Sequence, residues 1–247
     1  MAAQQFAVIT LFPELFEQFR ATSLVGRAIE TGLLALHLEP LRPYGLGKHL
    51  SVDDTPYGGG SGMLMRVDCL VAALEALDQL PDPEGQGAFH RVLLTPQGRP
   101  FKQAMAQALS RRPRIALVCG RYEGFDERVR QFVHEEISLG DFVMTGGEVA
   151  AMAVIEASAR LVPGVLGNET SATQESFSEA QGGGLEYPQY TRPAEFRGLA
   201  VPEVLKGGDH AKIAAYRQAC ADERTRVRRE DLLPQDKAGA YQRGPKG

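Results

Sequence analysis

The sequence predicts an α/β fold, and three apolar runs support this prediction. Phe6 to Phe12, Val92 to Leu94 and Ile115 to Val118 have the composition and length of buried strands. Pro13 after the first run can begin a helix, and Gly120 after the third can end a strand. Strands that alternate with helices are typical of α/β sheets, in which ligands bind at the carboxyl ends of the strands.

Weaker patterns predict the elements between these runs. Leu34, Leu36 and Leu38 alternate with small or polar residues, which indicates a strand with one exposed face. The spacing from Val67 to Leu80 predicts an amphipathic helix. Residues 42–66 show no sustained period but contain Pro56-Tyr-Gly-Gly-Gly, and a loop of that length is usually functional or disordered.

The segment after Gly120 is predicted to contain two helices and a short strand. Asp126 can cap the first helix. The strand is predicted over residues 137–143, interrupted at Gly140. Thr145 and Glu148 have the spacing of a capping box, which predicts a helix over residues 148–161. Because that helix is apolar nearly all round, we expect it to be covered on more than one side.

The composition indicates a globular protein of a reducing compartment. The 247 residues are 43% hydrophobic, and Cys69, Cys119 and Cys220 form no metal-binding pair and are expected to be buried small residues. The amino terminus has no basic region, and no apolar window is long enough to cross a bilayer. We therefore expect a cytoplasmic protein without a membrane partner or a zinc site.

The charge is distributed unevenly along the chain. From Pro193 onward there are 11 Lys and Arg against 8 Asp and Glu, although the whole chain has a net charge of −4. The densest basic run, Arg224 to Arg229, has two interpretations: a nucleic-acid contact or a solvated helix face. Residues 168–192 are polar, glycine-rich and aperiodic, which is typical of a linker before a small helical region in which Asp209 caps a helix.

Two motifs resemble the signature of the bacterial tRNA (guanine-N1)-methyltransferases, a family of the SPOUT class. They are Val118-Cys-Gly-Arg-Tyr-Glu-Gly-Phe-Asp-Glu-Arg128 and Gly140-Asp-Phe-Val-Met-Thr-Gly-Gly-Glu148. The resemblance covers most of the chain, from Ile9 to the helix after Asp209. It implies a homodimer with a parallel α/β sheet, whose C-terminal portion is tied in a trefoil knot, and a small helical C-terminal domain.

The resemblance also implies the domains and the reaction. Residues 1–166 are expected to form the knotted methyltransferase domain, residues 167–192 a linker, and residues 193–247 a basic tRNA-binding domain. The implied reaction transfers a methyl group from S-adenosylmethionine to N1 of the guanosine immediately 3′ of the tRNA anticodon, which supports reading-frame maintenance. Magnesium assists some members of the family.

The resemblance assigns the cofactor cleft to three segments that contain loops and the expected strand over residues 139–144. Glycines in these segments let the main chain approach a flat ligand closely, because no Cβ intervenes. The implied cofactor-binding residues are Thr95, Pro96, Gly98, Gly120, Tyr122, Leu139, Gly140, Asp141, Phe142, Val143, Met144, Gly146 and Gly147.

The reaction needs a base and a cation, because N1 of neutral guanine holds a proton and charge then builds on O6. The family takes the base from an aspartate in Ser-Ala-Thr-x-Asp-Ser-Phe and the cation from an arginine that ends the preceding helix. The matching residues are Glu175 and Arg160, with Glu186 as a secondary candidate for the base. Glu175 keeps the carboxylate but adds one methylene, so the linker or substrate must shift by about an ångström.

Other interpretations of the same residues remain open at this point. Glu175 can be a solvated linker carboxylate, and Arg160 can interact with a helix dipole. The chain can be a ribosomal RNA methyltransferase of the same class or a non-catalytic RNA-binding protein. A dinucleotide-dependent oxidoreductase is disfavoured, because no G-x-G-x-x-G follows the first strand.

Overall fold

The computed structural model describes residues 2–167 and 175–233, and the chain divides into two compact units, Met1–Gly167 and Asn168–Gly247. The strands of the first unit are β1 (Gln4–Thr10), β2 (Leu34–Pro40), β3 (Asp53–Asp54), β4 (Leu64–Met65), β5 (His90–Pro100), β6 (Arg114–Cys119) and β7 (Glu135–Ser138). Its helices are α1 (Glu17–Ala21), α2 (Ser23–Glu30), α3 (Val67–Leu77), α4 (Gln103–Ser110) and α5 (Glu148–Ala159).

Five strands of the first unit form one parallel sheet in the order β2-β1-β6-β5-β7. All six residues of β6 are buried, which confirms the strand predicted from the apolar run at Ile115. Alternate side chains of this strand enter two hydrophobic clusters: Leu117 packs in one with α4 and α5, and Val118 in the other with α3. The α/β fold predicted from the sequence is therefore confirmed.

Strand β5 continues beyond the point at which the sequence predicts its end. Leu94 and Arg99 both pair with Ile137 of β7, so residues 95–98 lie outside the ladder and the strand rejoins it at Arg99. A Cβ on Gly98 would lie 2.5 Å from the amide nitrogen of Ile137. Only a glycine lets the returning chain approach β7 this closely, which explains how a turn-like sequence can occur inside a strand.

The segment after β6 differs from the prediction in three respects. The predicted helix after Asp126 is a short 3-10 helix, Glu127–Phe132, although Asp126 does cap it by accepting a hydrogen bond from the Arg128 amide. The predicted strand over 137–143 ends at Ser138, so residues 139–144 belong to a loop. Helix α5 begins at Glu148 with no side-chain cap, so the predicted capping box is wrong.

The second unit contains a hairpin of β8 (Glu195–Phe196) and β9 (Leu199–Ala200), followed by the long helix α6 (His210–Arg228). The Asp209 side chain accepts a hydrogen bond from the Lys212 amide, which confirms the predicted cap. Residues 175–192, expected within a linker, pack on α6: the Leu185 amide donates to Thr225 Oγ1 at 2.8 Å. Residues 171–174, which begin the motif around Glu175, lie outside the described residues.

A search of the described residues for an apolar helix long enough to traverse a bilayer finds none.

Candidate functional site

A cavity of about 320 Å³ opens at the carboxyl ends of β5, β6 and β7 in the first unit. Ligand pockets of proteins begin at about this volume. The lining comes from three chain segments, Leu94–Gln97, the loop after β6, and the loop between β7 and α5. This is the edge of the sheet at which α/β proteins bind ligands, so we take the cavity as the candidate site.

Glycines shape the floor of the cavity. The Gly147 amide donates to the carbonyl oxygen of Gly120 at 2.9 Å, which fixes the start of α5 against the end of β6. A Cβ on Gly147 would lie 2.8 Å from Cys119 Cα, and one on Gly120 would lie 2.8 Å from the Phe125 ring. Larger residues would push these loops apart, so the cavity depends on both glycines.

The cavity brings together most of the cofactor-binding residues predicted above. Eleven of them line it: Thr95, Pro96, Gly120, Tyr122, Leu139, Gly140, Phe142, Val143, Met144, Gly146 and Gly147. Gly98 and Asp141 do not. Gly98 lies against the backbone of β7, and Asp141 is an exposed residue of the loop between β7 and α5.

A buried ion pair beside the cavity was missed by the sequence analysis. Arg121 Nη2 lies 2.8 Å from Glu148 Oε2, and Thr10 Oγ1 donates to Glu148 Oε1 at 2.8 Å. The Arg121 guanidinium also lies 4.4 Å above the Phe12 ring and donates to the carbonyl oxygen of Thr145. Arg121 therefore joins the ends of β1 and β6 to the loop before α5. Thr10 and Glu148 are 138 positions apart, so no local pattern could have revealed this contact.

Two acidic residues of the lining differ in their surroundings. Glu127 pairs with Arg130 at 2.9 Å, and Arg130 also pairs with Glu136. Among the described residues no cation lies within ion-pair distance of Glu123, another lining residue that the sequence analysis did not single out. The Gly-Arg-Tyr-Glu run that contains Glu123 was the available signal.

The glycine-rich loop that contains Pro56-Tyr-Gly-Gly-Gly packs beside Glu123. The Glu123 amide donates to the carbonyl oxygen of Met63 at 3.0 Å. A Cβ on Gly62 would lie 2.3 Å from Glu123 Cγ, and Gly62 has a φ of +81°. Tyr57, within the same loop, is fully exposed. The loop is thus attached to the cavity wall at its end and carries an aromatic ring that is open to a ligand.

Cys119 lies buried beneath the glycine floor. Burial raises the pKa of the Cys119 thiol well above its ordinary value, and the nearby Glu148 carboxylate raises it further. The thiol is therefore protonated at neutral pH and contributes packing. The described residues include no group of three or more His, Cys, Asp or Glu that could hold a metal ion.

The two predicted catalytic residues belong to different units. Arg160 is the C-cap residue directly after α5, and its backbone amide donates to the Glu156 carbonyl at 3.3 Å. Glu175 is the first described residue of the second unit, and its carbonyl accepts from the Ser178 amide at 3.2 Å. Both residues are partly exposed. Glu186, the secondary candidate, accepts a hydrogen bond from Gln189 at 3.3 Å.

The parallel sheet and its glycine-lined cavity define an α/β protein that binds a small ligand at the carboxyl edge of the sheet. A family model described as tRNA (Guanine-1)-methyltransferase TrmD matches residues 4–235. The chain therefore belongs to the tRNA (guanine-N1)-methyltransferase family, as the motifs after β6 predicted.

Curated relatives agree with this assignment. A tRNA (guanine-N(1)-)-methyltransferase of Sorangium cellulosum is 61% identical over 248 residues, covering 94% of each chain. Proteins of the same name from Deinococcus deserti and Ruegeria pomeroyi are 54% and 51% identical. The matches cover 93% of this chain and 81% of the former, and 95% of this chain and 94% of the latter. The similarity thus spans both units.

Proposed function

We propose that this protein is an S-adenosylmethionine-dependent tRNA (guanine-N1)-methyltransferase that acts on the guanosine immediately 3′ of the anticodon. The observation that carries the proposal is the glycine-lined cavity at the carboxyl ends of β5, β6 and β7, in a chain of this family. The Sorangium relative, whose name states this activity, matches the chain over nearly its whole length.

The residues that line the cavity support S-adenosylmethionine as the methyl donor. S-adenosylmethionine supplies an activated methyl group on a sulfonium and presents a flat adenine. Gly120 packs against Phe125 and Gly147 against Cys119 too closely for a Cβ, so these glycines hold the loops together around a space that a flat group can enter. Leu139, Phe142 and Met144 provide apolar surface, and the Glu123 carboxylate can accept hydrogen bonds from hydroxyl or ammonium groups.

Glu175 is the proposed general base, and Arg160 the proposed cation at O6. A carboxylate can take the N1 proton of guanine as the methyl group arrives, and a guanidinium can donate hydrogen bonds to the oxygen where charge develops. Both functions require the substrate to hold the two groups in position, because methyl transfer depends on the alignment of donor and acceptor. Arg160 follows the last turn of α5, at the end of the helix opposite to the turn that lines the cavity.

The decisive experiment separates catalysis from donor binding. Glu175→Gln should lower transfer of labelled methyl groups to unmodified tRNA transcripts by at least about 100-fold, the usual contribution of a positioned base. The affinity for S-adenosylmethionine, measured by calorimetry, should stay within about twofold, because the cavity lining comes from the first unit.

Two matched variants locate the base. Glu179→Gln removes an exposed carboxylate four positions away and should leave turnover unchanged. Glu186→Gln tests the secondary candidate. Normal turnover by Glu175→Gln would disprove the assignment, and a large loss in Glu186→Gln alone would move the base to Glu186. Substitution of the target guanosine by adenosine should abolish the reaction in every variant.

The proposal includes the homodimer and the trefoil knot that are implied for the methyltransferase domain. Exposed apolar side chains beside the cavity support a dimer: Val143 is 85% exposed and Val149, in the first turn of α5, is 61% exposed. A second copy of the chain would cover this surface. A monomer at every concentration of a light-scattering dilution series would contradict the dimer.

The second unit is the proposed tRNA-binding domain. The basic run at Arg224 to Arg229 is partly neutralised, because Arg226 pairs with Glu223 at 2.5 Å and Arg229 with Asp231 at 2.8 Å. Phosphate contacts can displace such exposed pairs, and they make the affinity for tRNA depend on salt. Such a protein would act in the cytoplasm, where tRNA is modified. No reaction step is assigned to magnesium, because the described residues offer it no cluster of ligands.

A further inference from the structure

The hairpin of the second unit displays an apolar pair to solvent. Phe196 of β8 pairs with Leu199 of β9, so their side chains lie on the same face of the hairpin. Phe196 is 59% exposed and Leu199 is 76% exposed, and every residue from 191 to 200 is exposed. A two-stranded hairpin is only marginally stable by itself, and an exposed apolar face of this kind is typical of a surface that binds a partner.

The turn of this hairpin carries an unfavourable residue. Arg197 has a φ of +51° and Gly198 a φ of +80°, the combination that a two-residue type I′ turn requires. Asn followed by Gly is the favoured sequence for that turn, and an arginine at its first position is sterically disfavoured. The turn geometry therefore does not account for an arginine at this position, which indicates that its side chain has a function.

The contact between the Arg197 side chain and the Phe196 ring indicates that function. The Arg197 guanidinium carbon lies 5.1 Å from the centre of the Phe196 ring, so a cation and an aromatic ring are exposed side by side in cation–π contact. Unpaired RNA bases are bound by stacking on aromatic rings and on guanidinium planes. Arg192, also exposed, adds a second cation, and Glu195 is the only acidic residue between positions 191 and 200.

We propose that the hairpin is a stacking platform for one unpaired base of the tRNA, with Arg197 contacting the adjacent phosphate. The inference rests on the proposed function, because it takes its ligand from there. RNA fits the surface better than a second copy of the chain does, because an exposed aromatic ring beside an arginine complements a base with its phosphate. Residues 191–200 hold two arginines against one glutamate, so two copies of this surface would bring together the same net positive charge.

Arg197→Asn is the informative variant, because it creates the favoured Asn-Gly turn and so preserves the hairpin while removing the cation. In the full-length chain we expect it to weaken binding of unmodified tRNA transcript several-fold and to reduce the slope of log affinity against log salt by about 1. Its Tm should be equal to or above that of the wild type.

Variants of the ring test the stacking directly. Phe196→Ala should weaken tRNA binding by about tenfold, as expected for the loss of one base stack, and Phe196→Tyr should bind as the wild type does. The KM for tRNA should rise in Arg197→Asn and in Phe196→Ala, with kcat and donor affinity retained, because neither residue belongs to the cavity.

Two results would overturn the inference. One is wild-type tRNA affinity and salt slope in both Arg197→Asn and Phe196→Ala. The other is dissociation of a dimer by these variants with unchanged tRNA affinity, which would assign the face to a second copy. If the wild type methylates tRNA and either result is found, only this inference fails. If the wild type transfers no methyl group to any tRNA, the proposed function itself fails.

Discussion

Replacing Arg121 by methionine should destabilise the first unit strongly. Glu148 is 1% exposed, and its carboxylate would keep the Thr10 hydroxyl but lose its cation. Removing one partner of a buried ion pair costs about 3–5 kcal/mol. Because the Arg121 side chain is 20% exposed, water can partly solvate the remaining charge, and we expect about 3 kcal/mol. For a chain of this size that lowers Tm by about 6–12 °C.

A surface pair provides the control for this experiment. Arg20 pairs with Glu17 on α1 at 2.7 Å, with side chains 42% and 52% exposed, so Arg20→Met should cost less than about 1 kcal/mol. Chemical denaturation of Arg121→Met, of Glu148→Gln and of the double variant gives the coupling energy of the buried pair, and Arg20→Met gives the surface reference. Because the pair also fixes the loop before α5, Arg121→Met should weaken donor binding at permissive temperature. A cost below about 1 kcal/mol, with unchanged donor affinity, would refute the reasoning.

Three further variants test other parts of the structure. Gly147→Ala places a Cβ 2.8 Å from Cys119 Cα, so it should cost about 1–3 kcal/mol in denaturation and weaken donor binding, whereas Gly167→Ala, with open space around it, should do neither. Glu123→Gln should weaken donor binding about tenfold in calorimetry without changing Tm, because it removes a charged acceptor from the cavity wall. Burial, reinforced by the charge of His90, lowers the pKa of His134 below its ordinary value of 6.5. Just below pH 6.5 the unfolded chain therefore binds more protons than the folded chain, so the free energy of unfolding falls as the pH is lowered. His134→Gln should reduce this pH dependence in urea denaturation.

The strands that build the cavity could be predicted because their signals are local. The six buried residues of β6 form an uninterrupted apolar run before Gly120, and that pattern has few structural solutions. The lining residues Gly146 and Gly147 could be predicted in another way, from a motif that resembles a family signature. Both signals depend on residues that are close together in the sequence.

The errors occurred where distant residues decide the structure. Glu148 has the spacing of a helix cap, but its carboxylate binds Arg121 and Thr10, and neither partner belongs to the helix. The continuation of β5 depends on the close approach of Gly98 to β7, a contact that the sequence of β5 alone does not encode. The β8–β9 hairpin was missed because its strands are two residues long, shorter than any periodicity can register.

The four residues of β5 that leave the ladder limit where the sequence can tolerate insertions and deletions. Since Leu94 and Arg99 share Ile137 as their partner, the four residues between them are anchored at both ends to a single position of the neighbouring strand. An inserted residue here would bulge into the space reserved for the ligand, and a deleted one would pull the two halves of the strand out of alignment. Natural variation in chain length should therefore accumulate at surface turns such as residues 82–87, while this short detour keeps a constant number of residues.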